Sequence, residues 1–390
     1  MLDYFLYPCY NIQIIMKEMI KMKMIFNRSV SVILSAVMLF ASALSLNGCG
    51  GKDNSQTTEA ATTIAETTQA FDEPQQKRKI IIDTDTAGDD ASALIIAAKA
   101  KNIDILGVTV SAGNVSLDQA VKNALMTLEM AGSDAPVYAG ASATYTGKER
   151  EAFSVYGKDG MGDQDLIHPM RKAEDKGAVD FIVETVKANP DEVEIVALGP
   201  VTNLALAFDK DPETMKHVKK YWSMGTAGFG LGNATPVAEF NVYHDAEAYK
   251  VLVDSGVEIT AIGFDMLPEE TNFSKEELDE LEKKGGLSEF FAKAFNRLIE
   301  FNTEARGLPI ADDPDGVAMA CVLWDGYLKK TQPCHASVMT DDNEAYGQVI
   351  LYKEGYDYDS QVTFDNYNFY VATETDSKIF KEKLIALLDE

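Results

Sequence analysis

Cysteine, histidine and tryptophan are scarce in this chain: four, four and two among 390 residues. No cysteines and histidines stand at the spacing of a zinc or iron–sulfur site, so soft-metal chemistry does not organise the molecule. Of the cysteines, Cys9 and Cys49 lie near the N-terminus, leaving Cys321 and Cys334. Cys321 sits in the apolar run Val317 to Trp324, where a buried thiol is expected, and a disulfide to Cys334 stays open outside the cytoplasm. Positive charge is also short. Thirty-five Lys and Arg face 62 Asp and Glu, for a formal net charge of −27. Such a polyanion lacks the basic surface that nucleic-acid phosphates or acidic lipid headgroups need. Divalent cations are the natural partners of so many carboxylates, although most of them only solvate a surface. The composition, 46% apolar and 25% charged, is that of a globular chain, and the length allows one large domain or two ordinary ones.

Lys21, Lys23 and Arg28 precede the uncharged, largely apolar stretch Ser29 to Leu46, which reads as a secretory leader starting at Met24. It ends in Leu46-Asn47-Gly48-Cys49, which resembles the lipobox of bacterial lipoproteins, where the cysteine is lipidated and becomes the new N-terminus. An uncleaved anchor is the alternative, because the apolar stretch is just long enough to span a bilayer. The expected organisation is a signal peptide over 1–48, a disordered tether over 49–78 rich in Thr, Ala, Gln and Glu, and one folded domain over 79–390. That places the domain outside the cytoplasm, with the membrane touched only through the lipid on Cys49. The residues before Met24 leave a misplaced start codon open.

From Lys79 onward, short β-branched runs alternate with helical stretches. Strands are expected at Lys79–Ile82, Ile103–Val110, Val193–Leu198, Tyr221–Met224 and Val257–Phe264. Helices are expected over about 90–100, from a capping box at Ser116–Gln119 to Met130 with Gly132 as its stop, and over 178–188. A helical pair follows over 274–306, opened by a capping box at Ser274–Glu277 and broken at Gly285-Gly286. The alternation predicts a single α/β domain with a mainly parallel central sheet flanked by helices, Rossmann-like, and a ligand site at the carboxyl ends of its strands.

Those ends carry polar groups. The first strand is followed by Asp83-Thr-Asp85-Thr86-Ala87-Gly88-Asp89-Asp90, the second by Ser111-Ala-Gly113-Asn114 and the third by Gly199-Pro-Val-Thr-Asn203. Alternation along an extended chain puts Asp83 and Asp85 on one side, and Asp89 and Asp90 fall where the next helix begins. Four carboxylates within eight residues repel one another unless a cation is present. A hard, oxygen-ligated ion, Ca²⁺ or Mg²⁺, is the economical explanation, and an acidic turn with capping aspartates is the plain one.

This segment resembles the signature of the calcium-dependent nucleoside hydrolases, which cleave the N-glycosidic bond of ribonucleosides. All four aspartates of the usual Asp-x-Asp-Pro-Gly-x-Asp-Asp pattern are present, with Thr86 and Ala87 in place of Pro and Gly. The likeness continues in order through Val108–Asn114, Val196–Asn203 with Leu198, Gly232–Asn241 and Asp313-Pro314, and so covers about residues 79–385. It implies the nucleoside hydrolase fold and Ca²⁺ held by the side chains of Asp85, Asp90 and Asp313 and the carbonyl of Leu198. It also implies Asp85 as the general base acting on a calcium-bound water. Asp89, Asn114, Met224 through its backbone, Asn233, Glu239, Asn241 and Asp313 would face the sugar. A homo-oligomer is common in the family, and nothing in this sequence specifies an interface.

The pattern breaks on the base side. Tyr156 and Asp312 stand where the family often has histidines, so activation of the leaving base is unassigned. Tyr156 as a partner of the base and a protonated Asp312 as an acid are two candidates. None of the four histidines fills the gap: His244 reads as capping the helix that begins at Asp245, and His168, His217 and His335 read as surface or loop residues. Trp222 and Trp324 lie in apolar runs and read as core. The resemblance also puts Phe290, Phe291, Phe295 and Asn302 near the base, without a definite role. Two other readings remain at this point. A surface lipoprotein could capture nucleosides or pentosides without cleaving them. Asp83-Thr-Asp85-Thr86 also fits the nucleophile motif of haloacid-dehalogenase-like phosphatases, in which Gly232–Asn241 has no place.

Overall fold

Three consecutive isoleucines set the architecture. In β1 (Arg78–Thr84), Ile80 and Ile82 enter one apolar layer and Ile81 the other, as in a strand covered on both faces. The computed structural model describes residues 77–147 and 155–390, which lie within one compact unit, Asp72–Glu390. The expected leader, Cys9, the lipobox with Cys49 and nearly all of the tether lie outside the described residues. Among those described, no helix is long and apolar enough to cross a membrane.

After β1 come α1 (Gly88–Lys99), β2 (Ile103–Val110), α2 (Leu117–Met130), β3 (Val137–Ala139), α3 (Ala178–Ala188), β4 (Val193–Ala197), α4 (Thr202–Lys210), α5 (Pro212–Met215) and β5 (Lys220–Met224). The chain goes on through α6 (Phe240–His244), α7 (Ala246–Asp254), β6 (Ile259–Ile262), β7 (Phe273–Ser274), α8 (Lys275–Lys284), α9 (Gly286–Arg306) and β8 (Ile310–Ala311). It ends with α10 (Pro314–Leu323), β9 (Leu328–Val338), β10 (Val349–Lys353), β11 (Phe369–Thr375) and α11 (Phe380–Leu388).

Nine strands form one sheet in the order β10-β9-β11-β6-β5-β4-β1-β2-β3, and β7 and β8 form a small second sheet. Strands β3 through β11 across the middle pair in parallel, while β9 pairs antiparallel with both β11 and β10. One layer packs α1, α2, α9, α10 and α11 against the sheet, and the other packs α3, α4 and α7. Chain order reverses at β1, which has β2 on one side and β4 on the other. At such a switch point the flanking loops leave in opposite directions and open a crevice beyond the strand ends.

The expected strands and helices are present with their ends moved by a few residues. Two details differ. Ser116 is the N-cap of α2, yet its hydroxyl makes no capping bond. Helix α7 is capped by Asp245 itself, which accepts from the Ala248 N–H, and the His244 ring lies against Phe240 at 5.5 Å between centroids. The capping box at Ser274 and Glu277 forms as expected. Cys321 and Cys334 are both buried free thiols, so no disulfide joins them.

Candidate active site

The strand alternation that sorts the isoleucines also sorts the acids behind them. Asp83 turns to the α4 side, where its Oδ1 accepts from Thr109 Oγ1 at 2.5 Å and Asn203 Nδ2 at 2.8 Å. Thr84 turns the other way, and its hydroxyl donates to Asp90 Oδ1 at 2.5 Å. The Ala87 N–H donates to Asp90 Oδ2 at 2.9 Å, so the first turn of α1 is tied back onto the end of β1. Asp85 lies just past the strand end, fully buried. Its Oδ2 accepts from the Asn114 N–H at 2.5 Å, and its Oδ1 has no partner. Gly113 and Gly199 close on it from the loops after β2 and β4. A Cβ on the first would strike Oδ2 and on the second Oδ1.

Above these acids is a cavity of about 200 Å³. Asp89, Asn114, Leu198, Met224, Asn233, Glu239 and Asn241 all line it, so the structure brings these sequence-predicted residues to one place. Asn241 Nδ2 donates to the Leu198 carbonyl at 2.7 Å and the Met224 carbonyl at 3.2 Å, joining the ends of β4 and β5. Glu239 caps α6 by accepting from the Asn241 and Val242 N–H groups. Asn233 Oδ1 accepts from the Phe240 N–H at 2.8 Å, which fixes the loop before α6.

Asp313 is fully buried below the cavity, with both oxygens engaged. Oδ2 accepts from Ser92 Oγ at 2.6 Å and Oδ1 from the Gly316 N–H at 2.9 Å, the N-cap bond of α10. Asp315, two residues on, was not singled out by the sequence. It lines the cavity, is 2% exposed, and leaves Oδ1 without a partner. One carboxylate oxygen from each of Asp89, Asp90 and Asp315 lies within 4.8 Å of the other two.

Burial pushes the carboxyls of Asp85, Asp89 and Asp315 well above the usual range, and the neighbouring aspartates push further the same way. Burial also raises Asp90, against the bonds it accepts from Thr84 and Ala87. Asp83, Asp313 and Glu239 are each pushed up to about 7 by burial. Carboxylates packed this way without a counter-charge resist ionising together. Unpartnered buried oxygens on Asp85 and Asp315, beside a group of three oxygens at ion-sized separation, fit a hard divalent cation. The carbonyl of Leu198, at the same floor, adds a neutral oxygen.

Val155, Phe264, Leu298 and Phe301 give the cavity an apolar and aromatic wall, and among the described residues Arg306 is the single cationic side chain lining it. Tyr156 is buried edge-on against Phe295, and its hydroxyl bonds to Asp89. Burial and the charge of Asp89 hold that phenol well above its ordinary range. Asp312 accepts from Asn302 Nδ2 at 2.8 Å and pairs with Arg306 at 3.4 Å. Asn302 therefore holds Asp312, while Phe290, Phe291 and Phe295 are core and not cavity wall. Trp222 is held in β5 by its bond to Glu194, and Trp324 packs on Tyr327 and Phe380; neither lines the cavity.

Comparison with known proteins points one way. Residues 80–382 match the family described as inosine-uridine preferring nucleoside hydrolase. The chain is 45% identical over 190 residues to uridine nucleosidase 1 of Arabidopsis thaliana, a match covering 48% of this chain and only 56% of that protein. It is 33% identical over 288 residues to the pyrimidine-specific ribonucleoside hydrolase RihB of Escherichia coli, covering 70% of this chain and 87% of that one. The fold superposes on a purine-preferring ribonucleoside hydrolase from Gardnerella vaginalis with a TM-score of 0.72 at 28% identity. It also superposes on the plant nucleoside hydrolase PpNRh1 with a TM-score of 0.71 at 30% identity. Each superposition covers 80% of this chain and 98% of the other.

Proposed function

The chain belongs to the inosine-uridine preferring nucleoside hydrolase family, and we propose that it hydrolyses ribonucleosides to ribose and free base at this cavity, with Asp85 as general base and Ca²⁺ as cofactor. Membership removes the phosphatase alternative. One observation carries the assignment of the base: Asp85 Oδ1, fully buried beneath a polar cavity, accepts no hydrogen bond.

In the reaction the bond between C1′ and the base nitrogen breaks, the oxygen of water joins C1′, and a proton reaches the departing base. Asp85, Asp90 and the Leu198 carbonyl would hold the ion together with Asp315, whose oxygen lies with those of Asp89 and Asp90, while Asp313 already has both oxygens engaged. When bound, Ca²⁺ offsets the charge of the acids and acidifies a water and the sugar hydroxyls next to it. Asp85 Oδ1 is free to take the proton of the attacking water, while the Asn114 N–H and the two glycines keep the carboxylate from turning away. Asp89, Asn114, Asn233, Glu239, Asn241 and the Met224 carbonyl present donors and acceptors to the ribose hydroxyls. A hydroxyl-poor ligand would leave these groups unmatched, at a cost of about 1–3 kcal/mol each. The same acids favour positive charge as it develops on the ribose ring. The base leaves toward Phe264, Phe301 and Arg306, the wall able to clasp a planar ring and face the negative charge it gains. Tyr156 and Asp312 are already bonded to Asp89 and to Arg306 and Asn302, so they act by holding those neighbours in place.

The leader and Cys49 support a lipid-anchored, extracytoplasmic location for a domain over 79–390, and salvage of bases and ribose is the role that fits it. Uridine and inosine are the first substrates to try. Reducing sugar released from each, with and without EDTA, tests the reading. Release is expected to stop on chelation and resume with calcium, and Asp85→Ala is expected to lower kcat by about 10²–10⁴-fold. Turnover that survives Asp85→Ala overturns the mechanism. Calcium-dependent binding of nucleosides with no turnover of any of them makes the protein a capture module instead.

A further inference from the structure

Among the described residues, five that are not glycine hold a left-handed backbone: Asp163, Asp165, Asp191, Thr226 and Gln361. Four of them are exposed, and three of those are aspartates, which tolerate the conformation best. Thr226 is different. It is buried, at 1% exposure, with a φ of +76°, and its branched Cβ makes that conformation strained. Glycine would take the same path without strain. A threonine in this place is useful only through what its side chain holds.

Its bonds reach both sides of the cavity. Thr226 follows β5, two residues after Met224, and does not itself line the cavity. Its hydroxyl accepts from the Gly228 N–H at 2.7 Å, which closes the turn that opens the loop 227–238. Further along that loop, the Phe229 N–H donates to Asp265 Oδ2 at 2.8 Å, and Asn233 arrives at the cavity. The Thr226 N–H bonds to the buried Glu239 carboxylate, and with the N–H groups of Asn241, Val242 and Phe240 it offsets part of the effect of burial. The Thr226 carbonyl accepts from the Phe264 N–H at 3.0 Å, and Phe264 belongs to the aromatic wall. We propose that Thr226 is a positioning residue for the sugar, its hydroxyl fixing the loop that brings Asn233 to the ribose while its strained backbone holds Glu239. The inference rests on the ribose site of the proposed function and adds to it a residue that never touches the substrate.

The test compares the full chain, supplied with calcium, as wild type, Thr226→Ser, Thr226→Ala and Thr226→Gly. Steady-state hydrolysis of uridine gives kcat and KM, and a thermal melt gives the midpoint. Alanine and glycine both remove the hydroxyl, so a folding defect in one leaves the other to decide. Both are expected to raise KM about tenfold with kcat within about threefold of wild type, the signature of lost binding rather than lost chemistry. Serine keeps the hydroxyl and is expected to hold KM within about twofold of wild type. Glycine is expected to melt above alanine, because it relieves a strain that alanine retains. An unchanged KM in a folded alanine or glycine variant overturns the proposal, and so does a serine variant as weak as they are. Glycine melting below alanine would show that the backbone at 226 is not strained, which also overturns it. If wild type releases no ribose from uridine, the hydrolysis reading falls by itself, and the calorimetric Kd for uridine takes the place of KM. The positioning role then falls too only if wild type does not bind uridine or all four proteins bind it equally.

Discussion

Gly113 and Gly199 press on opposite oxygens of Asp85, and neither has a left-handed backbone that would by itself demand glycine. What they supply is room. A methyl group on Gly199 would meet Oδ1, the oxygen reserved for the proton, without touching the Asn114 bond to Oδ2. Gly199→Ala is therefore expected to lower kcat for uridine by about 10²-fold, the usual cost of moving a reacting group by about 1 Å, and to cost about 1–3 kcal/mol of stability from overpacking. Steady-state rates and a thermal melt check this together; an alanine enzyme with kcat within twofold of wild type would show that Asp85 has slack. The aspartates of Asp83–Asp90 were legible because four like charges so close together have few innocent explanations. Asp315 was not, since one acid at the start of a helix reads as dipole matching until its burial is known. Tyr156 and Asp312 were visible as departures from a pattern. Of their partners, Asp89 is distant from Tyr156 in sequence, whereas Asn302 and Arg306 lie at the end of α9, just before Asp312, and only the turn that follows the helix shows that they reach it.

At the scale of elements, the strands buried on both faces announced themselves through unbroken β-branched runs, whereas the antiparallel margin did not. Strand β9 begins Leu-Lys-Lys-Thr-Gln-Pro-Cys-His, with four polar residues in a row and a proline, because it lies near the open edge of the sheet and is covered only in part. The expected strand after Val257 shortened to β6, in which Ile259–Ala261 pair on both sides and Ile262 pairs with β5 alone. The central strands also carry a cross-tie that no single run could reveal. Glu194 of β4 accepts from Arg78 of β1 at 3.0 Å, from Trp222 of β5 at 3.0 Å and from Lys219 at 3.2 Å. Burial alone would raise its carboxyl, but the bonds from Arg78 and Trp222 prevail and bring it down to about 2. A depressed carboxyl stabilises the fold above its unfolded value of about 4.3, and that stability is lost as pH falls toward 2. Arg78→Ala should cost about 2–3 kcal/mol at pH 7, since a mostly buried acid loses its main partner. It should also flatten the loss of stability between pH 5 and pH 3; urea melts at the two values measure both, and an unchanged slope would remove Glu194 from the acid response.

For the whole molecule, the net charge of −27 divides into two parts that behave differently. Most acids among the described residues are on the surface, some of them paired in exposed contacts such as Lys250 with Asp254 and Lys216 with Glu213, and such pairs contribute little. The remainder is gathered where β1 and β4 part company, in acids whose burial raises them. Asp313 and Glu239, both near 7, show the sign of the effect. A raised carboxyl contributes stability that is complete below its unfolded value of about 4 and is lost as pH climbs through about 7, because ionising it in the folded protein is unfavourable. Without calcium the thermal midpoint should therefore fall as pH rises from 5 to 8. A bound cation reverses the term by favouring the ionised acids, so calcium should stabilise more at pH 8 than at pH 5. At a calcium concentration of one hundred times its Kd the gain is about 2.7 kcal/mol, or about 5 °C for a chain of this size. Melting curves of the full chain at the two pH values, in EDTA and in calcium, test the sign directly. A calcium shift that is equal at both pH values, or larger at pH 5, would mean that the buried acids are not where the cation binds, and the surface would then have to account for the metal.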